Sequence, residues 1–278
     1  VNPERRTIVI TGASDGVGAA AARQLSRRGD NVVVVGRSPG KTAAVAGALG
    51  ADYLVADFAE LGQVRDLAAH LLDRYPRIDV LANNAGGIMS GTRQVTVDGF
   101  EKTFQVNHLA PFLLTTLLLD RLIAARASVI NTSSVGNRLF GHIDITDLNH
   151  ERGFKAQKAY GDAKLANILF TKELHRRHHS DGISTAAFHP GSVASNFGAE
   201  ANNPALELLY RTPLKKLILI SPDKGADQLV WLATSTPGTD WTSGQYYARR
   251  KPGRPNKQAN DPVLAQQLWD RSREMVGA

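Results

Sequence analysis

The chain has 278 residues, 42% of them hydrophobic and 21% charged, with a formal net charge of +7 and no cysteine. That length suits one sizeable α/β domain, and the lack of cysteine excludes disulfides, thiol nucleophiles and cysteine-based metal sites. The composition excludes a low-complexity or disordered chain and is compatible with a reducing compartment, so a cytoplasmic enzyme is expected.

Val1-Asn2-Pro3-Glu4-Arg5-Arg6 leads directly into an apolar β-branched run, so no secretory signal peptide is expected. Strands are predicted at Thr7–Thr11, Asn31–Val35, Asp52–Ala56, Ile78–Ala82, Ser128–Asn131 and Ser184–Phe188, with helix-length segments between them. Short apolar strands alternating with amphipathic helices predict a mostly parallel, doubly wound sheet covered on both faces, a single-domain Rossmann fold over residues 1–278. The stretch Phe112–Ala125 is helix-length, but Asp120 and Arg121 interrupt it and it is too short to span a bilayer. About residues 193–221 the alternation breaks, and this segment reads as a substrate-side insertion. Arg249-Arg250-Lys251, with Arg254 and Lys257, is interleaved with Pro252, Gly253 and Pro255, so it reads as a solvated loop and not a nucleic-acid surface.

In a doubly wound sheet ligands bind beyond the carboxyl ends of the strands. The first strand ends in Thr11-Gly12-Ala13-Ser14-Asp15-Gly16-Val17-Gly18, whose glycines let backbone approach a pyrophosphate at a helix N-terminus. The second ends in Gly36-Arg37, the third in Asp57-Phe58, the fourth in Asn83-Asn84-Ala85-Gly86, the fifth in Ser133-Ser134 and the sixth in Pro190-Gly191. Tyr160 and Lys164 stand four apart on a predicted helix, which puts a phenol and an ammonium on one face. A cation held near a phenol favours the phenolate and suits general acid–base chemistry. His108, His189 and the His175, His178 and His179 group lack metal-ligand spacing and read as packed or solvated histidines, so no metal is expected.

The Gly-x-x-x-Gly-x-Gly turn, Asn83-Asn84-Ala85-Gly86, Ser134 and Tyr160-Gly161-Asp162-Ala163-Lys164, in this order, resemble the short-chain dehydrogenase/reductase family over almost the whole chain. Val106-Asn107-His108-Leu109-Ala110-Pro111-Phe112, Asp147-Leu148-Asn149 and Ala159-Tyr160-Gly161 look most like its retinol-dehydrogenase and protochlorophyllide-reductase-like branch. The resemblance implies hydride transfer between a nicotinamide and a carbonyl or alcohol, with Ser134, Tyr160, Lys164 and Asn107 catalytic. Ser134 is chosen over Ser133 because it matches the second residue of the family's pair. It also implies a cofactor site comprising Gly12, Ser14, Asp15, Gly16, Val17, Gly18, Arg37, Asp57, Phe58, Asn84, Ala85, Gly86, Tyr160, Lys164, Pro190, Gly191, Val193 and Ser195. Arg37 suits a ribose 2′-phosphate, which points to NADP(H) over NAD(H), while Asp15 weakens that case. Asp57 has two readings, an adenine contact or a cap for the next helix.

Leu206, Leu208, Leu209, Leu214, Leu217 and Ile218 supply apolar area for a lipophilic substrate or for an oligomer contact. Lys215 and Lys216 beside them give peripheral membrane contact as a minor alternative. The helices near Gly99–Ala125 and Ala156–His179 match those through which relatives dimerise, so a homodimer or homotetramer is expected. Two rival functions are a non-catalytic NADP-binding sensor, which leaves Ser134, Tyr160 and Lys164 unexplained, and a sugar-nucleotide epimerase or dehydratase, which the glycine spacing opposes.

Overall fold

A strand with Val or Ile on both faces is buried only when helices cover both sides of its sheet, and that condition organises this molecule. The computed structural model describes residues 5–191 and 220–277. Its strands are β1 Thr7–Thr11, β2 Asn31–Gly36, β3 Asp52–Val55, β4 Val80–Asn83, β5 Ser128–Thr132, β6 Ser184–His189, β7 Gln245–Ala248 and β8 Lys251–Pro252. They form one sheet in the order β3-β2-β1-β4-β5-β6-β7-β8. Every neighbouring pair is parallel except β7 with β8. Val9, Val33, Leu81 and Val129 face one core, while Ile8, Ile10, Val34, Ala82 and Ile130 face the other.

The six strands expected from sequence are present, β1 with the expected ends and the others with an end displaced by no more than two residues. β4 begins at Val80 because Asp79 is engaged with Thr7: its carboxylate accepts the Thr7 N–H and its own N–H donates to the Thr7 carbonyl, both at 2.9 Å. β7 and β8 were not expected. The basic stretch read as a solvated loop is the tip and return strand of a hairpin, with Arg249 and Arg250 left-handed (φ 53° and 58°). Arg250 is held there by a two-point ion pair with Asp227.

The helices are α1 Gly16–Arg27, α2 Pro39–Leu49, α3 Leu61–Arg74, α4 Lys102–Phe104, α5 Ala110–Leu117, α6 Leu119–Ala125, α7 Gly136–Leu139, α8 Ala156–His178, α9 Pro222–Thr234 and α10 Pro262–Val276. A π turn, Gln105–Leu109, joins α4 to α5. Leu118 breaks the apolar stretch expected to be one helix, with a bend of 64° before α6. Among the described residues no single helix is long and apolar enough to cross a membrane.

α10 packs on α8 and α5. Its Trp269 lies edge-on to Phe112 at 5.0 Å and beside Phe170 at 5.8 Å, with the Arg177 guanidinium 4.8 Å from its ring centre. Ser272 on the same helix meets Nε2 of His108 at 2.9 Å, and burial lowers that histidine to about 4 and keeps it neutral. α10 thus covers part of the α5 and α8 surface expected to meet a second copy. His175, His178 and His179 are engaged by Ser243, Asp181 and the Ile183 carbonyl.

Candidate active site

The strand order turns at β1, which has β2 on one side and β4 on the other, and a crevice opens there beyond the carboxyl ends. Gly12 leaves β1 at φ 65°, and a methyl group on it would lie 2.7 Å from the Ala85 Cα. A methyl on Gly18 would lie 2.3 Å from the Gly12 carbonyl oxygen and 2.7 Å from Asn84 Nδ2, so α1 meets the turn with no room for a side chain. Asn84 ties this region together by donating from Nδ2 to the carbonyls of Thr11 and Gly12, at 3.1 and 3.3 Å. Thr11 accepts the backbone N–H groups of Asn84 and Ala85 at its hydroxyl, both at 3.0 Å. Asn83 instead braces β4 against Asn131 and Thr115.

Gly12, Ser14, Gly36, Arg37, Asp57, Phe58, Ala85 and Gly86 line one cleft, joined by Met89 and Val106. These residues fit a dinucleotide, because a glycine cradle, an arginine and apolar walls adjoin the N-terminus of α1. Asp15 modifies that N-terminus: its carboxylate accepts the Gly16 N–H at 2.7 Å and takes one amide otherwise directed at an anion. Asp57 accepts the Ala59 N–H at 2.9 Å, closing a turn ahead of α3, and does not cap the helix. The N-terminus of α3 is met by Asp98, which accepts the Leu61 N–H at 2.8 Å. Val17 is half-buried on α1, and Pro190 and Gly191 follow β6 at the same rim. Val193, Ser195 and most of the expected insertion lie outside the described residues.

At the other end of the crevice the two serines after β5 separate. Ser133 donates its hydroxyl to the Lys164 carbonyl at 2.7 Å and is buried in structural work. Ser134 stands beside Tyr160, since a methyl on Gly136 would lie 3.5 Å from Ser134 Oγ and 3.2 Å from the Tyr160 ring, and its Oγ accepts the Gly136 N–H at 3.1 Å. Lys164 is 2% exposed, donates to the Thr132 carbonyl at 3.1 Å and lies 5.6 Å from the Tyr160 ring centre. Asn107 sits in the π turn, donating to the carbonyls of Gly87 (2.9 Å) and Thr103 (2.8 Å) and accepting the Gly87 N–H (3.0 Å). A methyl on Gly86 would lie 2.3 Å from Asn107 Oδ1 and 3.0 Å from Lys164 Nζ, so both groups close on the space that glycine leaves open. A π turn carries its side chains out of helical register, a feature frequent at functional sites.

The electrostatics differ from the sequence expectation. Burial pushes the Tyr160 phenol above its ordinary value, opposed by the neighbouring Ser134 hydroxyl, and burial lowers Lys164 to about 7. Desolvation outweighs any preference for phenolate here, so Tyr160 is a protonated phenol in the ligand-free protein. Tyr246 on β7, a residue with no motif to announce it, contributes a second buried phenol, which burial pushes up to about 12.

A glycine-cradled crevice with a serine, a phenol and a lysine at its far end defines a nicotinamide-dependent oxidoreductase of the Rossmann class. The short chain dehydrogenase family model matches residues 6–205, and the chain belongs to that family. It is 43% identical over 98% of its length to the candidate daunorubicin C-13 ketoreductase DnrU of Streptomyces sp. strain C5, covering 93% of that protein. It is 37% identical to human retinol dehydrogenase 13, over 98% of this chain and 85% of that one, which places it in the retinol-dehydrogenase-like branch. The crystal structure of an uncharacterised Mycobacterium paratuberculosis protein superposes with a TM-score of 0.78 at 33% identity, covering 98% of this chain and 94% of the other. The chain is therefore an oxidoreductase acting on alcohol or carbonyl groups with NAD(P)(H).

Proposed function

We propose that this protein is an NADP(H)-preferring carbonyl reductase for a lipophilic substrate, with Tyr160 as the proton donor. The observation that carries this reading is the convergence of Ser134 Oγ and the Tyr160 ring on Gly136, with Lys164 5.6 Å from that ring and its ammonium next to Gly86 of the cleft. Gly12, Ser14, Arg37 and Asp57 would hold a dinucleotide in the cleft, and its nicotinamide would supply hydride-transfer chemistry at the carbonyl carbon. Tyr160 donates its proton to the carbonyl oxygen, and Ser134 holds that oxygen as negative charge develops. Lys164 orients the nicotinamide end and provides the positive charge that offsets the phenolate left behind. Asn107 supports the lysine side through its fixed contacts with Gly87.

The test is NADPH oxidation with a panel of aldehydes, ketones and quinones that includes retinal and polycyclic ketones, the carbonyl counterparts of the relatives' named substrates. Turnover of at least one lipophilic carbonyl is expected. Inactivity across the panel with intact NADPH binding would replace this reading with the sensor.

NADP(H) preference rests on Arg37, exposed on the cleft wall beside Gly36 and Ser14 with no acidic residue at the end of β2. Arg37→Asp is expected to shift the NADPH-to-NADH ratio of kcat/KM toward NADH by about 10- to 100-fold, the scale of one charge-assisted contact exchanged for repulsion. An unchanged ratio removes Arg37 from the assignment.

A further inference from the structure

The segment that carries Ser134 lies flat on the start of α8. A methyl on Gly136 would lie 3.2 Å from the Tyr160 ring, and one on Gly161 would lie 2.7 Å from the Gly141 nitrogen. Backbone therefore meets backbone beside the phenol. Its Leu139 and Phe140 are 60% and 49% exposed and its one core side chain, Ile143, lies at the far end from Ser134, so burial does little to fix the part that carries the serine. Hydrogen bonds must do so. At one end Asp162 on α8 accepts the His142 N–H at 2.6 Å.

The other anchor comes from more than a hundred residues away, just after β8. The Asn256 N–H donates to Asn137 Oδ1 at 2.8 Å, and its Nδ2 donates to the carbonyls of Asn137 at 3.1 Å and Gly141 at 2.7 Å. Gln258 pairs its side-chain amide with both backbone groups of Ile143, at 2.9 and 3.1 Å. Asn137 is fully buried and hands the connection on, donating its Nδ2 to the Ser134 carbonyl. The hairpin behind Asn256 is fixed to the sheet, since Gly253 donates to the Tyr246 carbonyl at 2.7 Å and β7 pairs with β6.

We propose that Asn256 is a positioning residue for the reaction: through Asn137 it holds the Ser134 hydroxyl at its distance from Tyr160 and so couples the β7–β8 hairpin to the reacting centre. This rests on the serine role stated under Proposed function. A displacement of about 1 Å in such a group lowers rate steeply without changing what binds. Asn256 touches no reacting atom, and its substitution acts on kcat.

The experiment is a double-mutant cycle with Asn256→Ala, Asn256→Asp and Ser134→Ala, reading kcat, KM and NADPH affinity on the panel substrate that turns over. Asn256→Asp is nearly isosteric and loses the two Nδ2 donors, so it leaves no cavity and serves where the alanine variant fails to fold. In the Ser134 background, either Asn256 variant is expected to lower kcat about 10- to 30-fold, with NADPH affinity and KM within about twofold. In the Ser134→Ala background the same change is expected to cost less than about threefold, because the group being positioned is gone. Hydrogen exchange over residues 134–143 of the ligand-free protein rises in the variants, while that of β7 stays as in the wild type.

Equal losses in both backgrounds, or kcat within twofold of wild type in the Asn256 variants, overturn the proposal. Failure of both variants to fold does so too, since it assigns Asn256 to stability alone. If Ser134→Ala is itself silent, the serine role fails first and the positioning role falls with it, so the silent variant identifies which reading is lost.

Discussion

Tyr160→Phe is expected to lower carbonyl-reducing turnover by about 10³-fold, within the 10²–10⁴ range of a positioned general acid, while NADPH affinity stays within about threefold. The substitution removes one oxygen and keeps the ring, which fills the space left open by Gly136. Ser134 Oγ still accepts the Gly136 N–H, so removing the neighbouring hydroxyl does not orphan it. Because burial holds the phenol in its protonated form, removing its hydroxyl takes away one buried polar group and its desolvation cost, and stability is expected to move by no more than about 1 kcal/mol. The measurement is steady-state NADPH oxidation with the two proteins side by side, together with a fluorescence titration of the dinucleotide. Retention of more than a tenth of wild-type turnover would remove Tyr160 as the proton donor. A proportionate loss of NADPH affinity would show that the phenol serves binding instead.

The sheet was legible where strand identity is local. β1 runs from Thr7 to Thr11 as expected, since five residues buried on both faces leave a continuous apolar run. β7 was not legible: Gln245–Ala248 is short, and its pairing with β6 depends on residues about sixty positions away. The glycine turn and the Tyr160–Lys164 pair were readable because their chemistry requires fixed spacings on one element. Ser133 and Ser134 show the limit of that reading. Adjacent identical residues face opposite ways off β5, and family pattern rather than spacing separated them until Ser133 was found bonded to the Lys164 carbonyl.

Other features of the site arise only when distant segments meet. The π turn places Asn107 against Gly87, a contact between β4's loop and a helix that no periodicity encodes. Asn256 reaches Asn137 across 119 residues, and neither stands in a motif that spacing could reveal. The protonation states belong to this class as well. A lysine four residues from a tyrosine suggests an activated phenol, but burial reverses that expectation and pushes both the phenol and the ammonium toward their neutral forms.

That reversal gives Lys164→Met a paired signature, loss of turnover with gain of stability. Lys164 is buried and lowered to about 7, far below its unfolded value, so between about pH 7 and 10.5 the unfolded chain binds the proton that the folded chain has released. Stability contributed by this site therefore rises with pH across that window, and at pH 7 the lysine holds the ligand-free fold a few kcal/mol below what a neutral side chain would allow. Methionine has a similar length and no charge. The Thr132 carbonyl it abandons keeps a second donor, Asn167 Nδ2 at 3.1 Å, so no buried acceptor is left unpaired. Thermal denaturation of the ligand-free proteins should show the variant more stable at pH 7, with the gap narrowing toward pH 10. Turnover should fall by at least about 10²-fold, as expected of a charge that stabilises the phenolate in the transition state. A variant that is less stable at pH 7, or a gap that does not change with pH, would mean the ammonium is not desolvated in the folded protein. A stable variant with full turnover would mean that the buried charge, though costly to the fold, has no part in the reaction.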